Sequence, residues 1–103
     1  MRTKSRSSII TERINKREMA NPFHPGEILL EEFMVPKGWT QVFLAEKLEW
    51  TTAKINDLIR GRRGITAESA IALSEVLGTS PKFWMNLQAS YDLHRAMASR
   101  RVA

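Results

Sequence analysis

The sequence predicts an all-α protein in which five helices form one domain. In five successive segments the apolar residues recur three or four positions apart, which is the spacing of a helix that buries one side. Proline, glycine, threonine and serine separate the segments at positions where helices begin or end. No segment alternates apolar and polar residues with a period of two, so no strand is expected. A chain of 103 residues accommodates one hydrophobic core and leaves little room for a second.

The first helix is expected to begin at Pro25, because the fixed φ of proline suits a first helical turn. Glu27 would then lie near the positive end of the helix dipole. The helix should stop before Pro36 and Gly38. Its expected buried stripe consists of Leu29, Leu30, Phe33 and Met34.

The second and third helices are expected to be short and to form a helix-turn-helix. The second should begin near Thr40, whose hydroxyl can accept hydrogen bonds from free backbone amides. A break around residues 49–51 leads into a third helix at about residues 52–60, which Gly61 should end in a left-handed conformation. The apolar residues expected to pack these helices are Leu44, Ala45, Leu48, Ile55, Leu58 and Ile59.

The fourth and fifth helices have clear signals at their ends. Thr66 and Ser80 are the expected caps, Gly78 should end the fourth helix, and Pro81 suits the first turn of the fifth. The apolar stripes are Ala70, Leu73 and Leu77 in the fourth helix and Trp84, Leu87 and Tyr91 in the fifth. Aromatic stripes of this kind usually belong to the core, and a seam between two copies of the chain is the alternative for the second stripe.

The formal net charge of +5 is unevenly distributed along the chain. Residues 1–18 contain six basic and two acidic residues, whereas the remainder contains ten basic and nine acidic ones. The first segment is also rich in serine and poor in large apolar side chains, so it cannot offset the entropy lost on ordering. We therefore expect a disordered basic arm at residues 1–18 and a helix-turn-helix domain at residues 19–103.

Several classes of protein are not expected. Without cysteine there is no disulfide or thiolate metal site, which suits the reducing cytoplasm. No apolar run approaches the ~20 residues of a membrane-spanning helix, and the basic start is not followed by the apolar stretch of a secretory signal. His24 and His94 lie far apart without companion ligands, so neither a metal nor another cofactor is predicted. No grouping of nucleophile, base and acid indicates an enzyme.

The polar side of the third helix carries candidate contacts to double-stranded DNA. A rigid helix pair can present one helix to the major groove, which is about 12 Å wide. The candidates on this side are Thr51, Thr52, Ala53, Lys54, Asn56, Asp57 and Arg60. Because Asp57 is acidic and would lie near phosphates, it is expected to accept a hydrogen bond from a base amino group or from Arg60.

Other candidates would bind the DNA backbone. Thr40 and Gln41 lie at the start of the second helix, where free amides and the helix dipole favour a phosphate. Arg62 and Arg63 follow the third helix, and together with Arg60 and Lys54 they form a local basic cluster. These contacts would position the protein without selecting a sequence.

The pattern of Thr40-Gln41, Leu44-Ala45 and Leu48 resembles the phage-repressor, or Xre/Cro, type of helix-turn-helix. The segments HPGE at residues 24–27, RGRRGIT at 60–66 and GTSPKFWMNLQ at 78–88 are similar to the HigA-type antitoxins, also described as VapI-like regulators. The resemblance covers about residues 19–95 and implies a five-helix, lambda-repressor-like domain. The turn departs from the phage pattern, because Glu49 replaces a frequent glycine and the bulky Trp50 follows it.

The resemblance also implies a function. Members of that family are dimeric repressors of their own operon and neutralise a HigB-type toxin, a small ribosome-dependent protein that cleaves mRNA. The implied partners are operator DNA, the toxin and a second copy of the chain. Two alternatives remain open: a stand-alone phage-like transcription regulator with no toxin, and a protein-binding module without affinity for DNA.

Overall fold

The computed structural model describes residues 23–102, and the arm expected at residues 1–18 lies outside that range. This part of the chain consists of five helices and contains no strand, which confirms the all-α prediction. Helix α1 combines an α-helical turn Pro25–Ile28, a π-helical stretch Leu29–Met34 and a last turn Val35–Lys37. The other helices are α2 at Gln41–Leu48, α3 at Thr52–Ile59, α4 at Ala67–Leu77 and α5 at Pro81–Val102.

The helix caps lie where the sequence predicts them. Thr40, Thr66 and Ser80 each accept a hydrogen bond from the backbone N–H three residues later, at 3.0 to 3.2 Å. Each hydroxyl therefore satisfies an amide that has no partner within its own helix. The bounds of α2, α4 and α5 follow from these local interactions.

Helix α1 ends later than predicted, because it continues through Pro36 to Lys37. A proline within a helix removes one backbone hydrogen bond and crowds the carbonyl four residues earlier. Immediately before Pro36 the helix has a π-helical pattern, in which the Val35 N–H donates to the Leu30 carbonyl. This wider turn accommodates the ring, and the helix ends only where Gly38 adopts a φ of 70°.

The core is a single cluster to which all five helices contribute. Its buried apolar members are Ile28, Leu29, Phe33, Met34, Leu44, Ala45, Leu48, Ile55, Leu58, Ile65, Ala70, Leu73, Trp84 and Leu87. Of the apolar residues predicted to pack the helices, four are only half-buried: Leu30, Ile59, Leu77 and Tyr91. Helix α1 packs against α3 and α5, α2 packs against α3, and α4 packs against α2 and α5, so α3 is supported by α1 and α2.

Residues of the predicted stripe on α5 occupy different environments. Trp84 is fully buried and Leu87 is 5% exposed, so both belong to the core of their own chain. The indole N–H of Trp84 donates to the Thr79 hydroxyl at 2.7 Å, which satisfies its polar atom as well. Tyr91 is half-buried and still reaches the surface.

Candidate nucleic-acid interface

The turn between α2 and α3 is held by backbone hydrogen bonds. Glu49 ends α2 in a left-handed conformation, with φ 60° and ψ 37°. This conformation turns the chain so that the Trp50 N–H donates to the Ala45 carbonyl at 2.9 Å. Thr51 then caps α3 by accepting from the Lys54 N–H at 3.1 Å. The two helices consequently meet in a fixed geometry despite the missing glycine.

The predicted candidates on α3 all reach the surface. Thr51, Thr52, Ala53 and Arg60 are exposed, and Lys54, Asn56 and Asp57 are half-buried. Ala53 and Arg60 are seven residues apart, about two helical turns, so they mark the centre of the exposed side. Lys54 is about 100° around the helix from Ala53 and therefore lies on one flank.

Gln41 and Asn56 connect the start of α2 to the middle of α3. The Asn56 side-chain amide donates to the Gln41 carbonyl oxygen at 3.3 Å. Within the described part of the chain, the side-chain nitrogen of Gln41 donates to no acceptor. Both of its N–H groups can therefore bind an external ligand. This nitrogen belongs to the first residue of α2, where the helix dipole favours an anion.

The exit of α3 carries the three arginines of the basic cluster, and one of them forms an ion pair. An Arg62 guanidinium nitrogen lies 3.2 Å from an Asp57 carboxylate oxygen. The backbone brings them together, because the Arg62 N–H donates to the Asp57 carbonyl at 2.8 Å and Gly61 has a φ of 77°. The expectation that Arg60 would be the protein partner of Asp57 is therefore wrong. Arg60 and Arg63 are both exposed.

Helix α1 approaches the end of α3 closely at Gly26. A Cβ atom at this position would lie 1.7 Å from the Leu58 carbonyl oxygen, so only glycine allows the contact. Leu58 itself is 1% exposed and anchors α3 in the core. Gly26 therefore fixes the end of α3, from which the basic cluster extends.

His24 joins α1, α5 and the loop after α3. Its Nδ1 accepts from the Gly26 N–H at 2.9 Å, and its ring meets the Tyr91 ring edge-on at 4.8 Å. Burial lowers the pKa of His24 below 6.5, and the Arg95 charge lowers it further. The Asp92 charge and a hydrogen bond with the Arg63 backbone act in the opposite direction.

A second contact secures the loop between α3 and α4. The Gln88 side-chain oxygen on α5 accepts from the Ile65 N–H at 2.7 Å, and its amide nitrogen donates to Asp92 at 3.0 Å. Sequence reasoning assigned no role to His24, Gly26 or Gln88, although all three lie in the segments that carry the family resemblance. The contacts of His24 with Tyr91, of Gly26 with Leu58 and of Gln88 with Ile65 join residues far apart in the chain, so no local pattern marks them.

Comparison with known proteins places this geometry in a family. Residues 30–84 match the helix-turn-helix family. Virulence-associated protein I of Dichelobacter nodosus is 42% identical over 81 residues, which cover 79% of this chain and 74% of that protein. Antitoxin HigA-1 of Vibrio cholerae is 37% identical over 78 residues, which cover 76% of this chain and 73% of that protein. The chain belongs to the helix-turn-helix family of HigA and VapI proteins.

A solved structure of a HigA protein supports the same assignment. The Pseudomonas aeruginosa antitoxin HigA with the higBA promoter has a TM-score of 0.74 and 43% sequence identity, with 77% of this chain and 86% of that chain covered. The predicted resemblance and fold class are therefore confirmed. HigA-like proteins are DNA-binding antitoxins and regulators, not enzymes.

Within residues 23–102 no group of three or more histidine, cysteine or acidic side chains is arranged to hold a metal ion. None of the helices in this range has the length and apolar character needed to cross a membrane.

Proposed function

We propose that this protein is an antitoxin that represses its own toxin–antitoxin operon and neutralises a HigB-type mRNA-cleaving toxin in the cytoplasm. The observation that carries the proposal is the rigidly supported α3 helix, whose exposed side is polar and whose exit is basic. This arrangement suits insertion into a major groove. The solved HigA relative with promoter DNA, similar over three quarters of this chain, supports the proposal that this chain binds DNA.

The proposed contacts to the DNA backbone surround α3. Gln41 would donate its side-chain amide to a phosphate at the start of α2, beside Thr40 and the free amides of that helix. Arg62 and Arg63 would bind phosphates at the other end, where Asp57 orients Arg62. These contacts would supply affinity that weakens as the salt concentration rises.

The proposed base contacts lie on the exposed side of α3. Thr51 and Thr52 offer hydroxyls, Ala53 offers a methyl group for a thymine methyl, and Arg60 offers a guanidinium for guanine. Asn56 can present its side-chain oxygen while its amide holds Gln41. Asp57 would act mainly through Arg62, since that pair already forms without DNA.

The proposal includes a homodimer, because two recognition helices must enter major grooves about 34 Å apart on a two-fold operator. Trp84 and Leu87 are committed to their own core, which leaves Tyr91 from the predicted seam. Three further exposed apolar residues lie on the opposite side of α5, about 120° to 240° around the helix from Tyr91. We call Met85, Leu93 and Met97, at 37%, 62% and 49% exposure, the α5 apolar stripe.

A DNA titration tests operator recognition. The protein is titrated against its own upstream DNA and against unrelated DNA of equal length at two salt concentrations. Preferential binding that weakens with salt is expected. Gln41→Ala and Arg62→Ala should weaken binding to both DNAs alike, whereas Thr52→Ala should change which sequence is preferred.

Two variants make this titration specific. Arg100→Ala removes the same charge from the exposed far end of α5 and should leave binding nearly unchanged. Asn56→Ala should combine both effects, because it also releases Gln41. Equal binding to the two DNAs by the unaltered protein would exclude operator recognition and favour the protein-binding alternative.

Toxin neutralisation requires a separate experiment. The protein encoded by the gene next to that of this chain should copurify with the chain when both are expressed. Expression of that protein alone should arrest growth and deplete mRNA. Operator binding without such a partner would identify a stand-alone transcription regulator instead.

A further inference from the structure

The turn that departs from the phage pattern contacts one side chain of the recognition helix. The ammonium nitrogen of Lys54 lies 4.1 Å from the centroid of the Trp50 ring. Other cations over aromatic rings in the described residues lie 5.2 to 5.6 Å away. Contacts of this kind are attractive because the ring face carries partial negative charge.

Trp50 is itself held in place. Its backbone N–H is bonded to Ala45, and its half-buried ring packs against the core. Lys54, by contrast, has a long flexible side chain that loses rotamer freedom when it is ordered. The ring therefore provides a fixed surface that restricts where the ammonium group can lie.

Lys54 lies on the flank of α3, away from the centre marked by Ala53 and Arg60. When the centre of a helix faces the base edges, its flanks face the sugar–phosphate backbones that border the groove. No carboxylate in residues 23–102 pairs with Lys54, so its charge remains available. A phosphate is the ligand that fits this place and this charge.

We infer that Trp50 is a positioning residue that holds the Lys54 ammonium against one wall of the DNA groove, so that Lys54 binds a phosphate and does not select a base. The inference rests on the proposed DNA-binding function. Holding Lys54 in place before binding reduces the entropy lost when the contact forms.

A double-mutant cycle tests the coupling between the two residues. Dissociation constants are measured by fluorescence anisotropy on labelled upstream DNA for Trp50→Leu, Lys54→Met and the double variant. Trp50→Leu should weaken binding about two- to fivefold, the range expected for an exposed cation–π contact. It should have no further effect in the Lys54→Met background, and Trp50→Phe, which keeps an aromatic face, should retain most of the affinity.

Salt dependence separates a phosphate contact from a base contact. Lys54→Met should reduce the slope of log K against log salt by about 0.9 per bound protomer and leave the preference for upstream DNA unchanged. A change in sequence preference would overturn the inference. So would equal weakening by Trp50→Leu with and without Lys54, because Trp50 would then act only through the fold; thermal melting of each variant checks this directly.

Gln41→Ala and Arg62→Ala distinguish failure of this inference from failure of the proposed function. If these variants weaken binding and Lys54→Met does not, the role of Lys54 and Trp50 is wrong and the DNA interface stands. If all three leave the affinity unchanged, the interface itself is wrong and the inference fails with it.

Discussion

Glu49 is the one non-glycine residue of the described chain with a positive φ, at 60°. A left-handed conformation costs a non-glycine residue roughly 1–2 kcal/mol. A glycine at the same position avoids this cost, but part of the gain is offset because glycine loses more backbone entropy on folding. Glu49→Gly should therefore raise the free energy of unfolding by about 0.5–1 kcal/mol and the Tm by a few degrees. Thermal denaturation followed by circular dichroism measures both.

Glu46→Gly provides a matched control for this substitution. Glu46 is also exposed, but it lies inside α2, where the same chemical change should lower stability by about 1 kcal/mol. A loss of stability at both positions would mean that the Glu49 side chain stabilises the turn by more than its backbone conformation costs.

Residue contacts within the site were less predictable than the residues themselves. The helical spacing identified the polar side of α3, because that spacing depends only on local geometry. The pairing of Asp57 with Arg62 depends on the path of the chain after Gly61, and the contact of Lys54 with Trp50 depends on the conformation of Glu49. Neither the path after Gly61 nor the conformation of Glu49 follows from residue types alone.

The cap of α1 makes the stability of that helix depend on pH. His24 accepts from the Gly26 N–H through Nδ1, which it can do only when that nitrogen is unprotonated. Its pKa in the folded protein lies below 6.5, so the unfolded chain binds a proton first as the pH falls. The stability should be constant above pH ~7 and should decrease as the pH falls from about 6.5 towards the folded pKa.

Unfolding free energies of the unaltered protein and of His24→Asn, measured between pH 8 and about 5, test this dependence. Asparagine can still cap the helix and does not titrate. The unfolding free energy of the unaltered protein minus that of His24→Asn should therefore decrease as the pH falls. Parallel profiles would show that His24 does not titrate in this range.

At the scale of elements, helix starts were predictable and one helix end was not. Thr40, Thr66 and Ser80 cap their helices through bonds to residues three positions later, so the signal is contained in a few residues. Pro36 suggested that α1 would stop before it, but a change to π-helical hydrogen bonding allows the helix to continue. The sequence around Pro36 does not show whether the helix stops there or continues through a π-helical stretch.

At the scale of the molecule, the contacts that hold α3 and the loop after it join distant parts of the chain. Gly26 meets Leu58, and Gln88 bonds to Ile65, across separations that no helical period relates. Family resemblance marked the segments that contain Gly26 and Gln88 without assigning their roles. The support of the recognition helix by α1, and of the loop after it by α5, therefore had to be observed in the structure.

The far half of α5 leaves apolar side chains exposed that a second copy would cover. Leu93 and Met97 are four residues apart and thus adjacent on one side of the helix. Leu93→Glu would place an unpaired carboxylate in that contact, which should weaken dimerisation on the order of 100-fold. Light scattering after gel filtration should then give the mass of a monomer. Binding to a two-half-site operator should weaken far more than binding to one half-site.

Ile71→Glu is the matched control for the dimer test, because Ile71 is an exposed apolar residue on α4, at 50% exposure against 62% for Leu93. It should change neither the mass nor the ratio of affinities for the two operators. If Leu93→Glu remains dimeric while Ile71→Glu becomes monomeric, the two copies meet through α4. Their recognition helices would then have a different separation, and the half-site spacing of the operator would change with it.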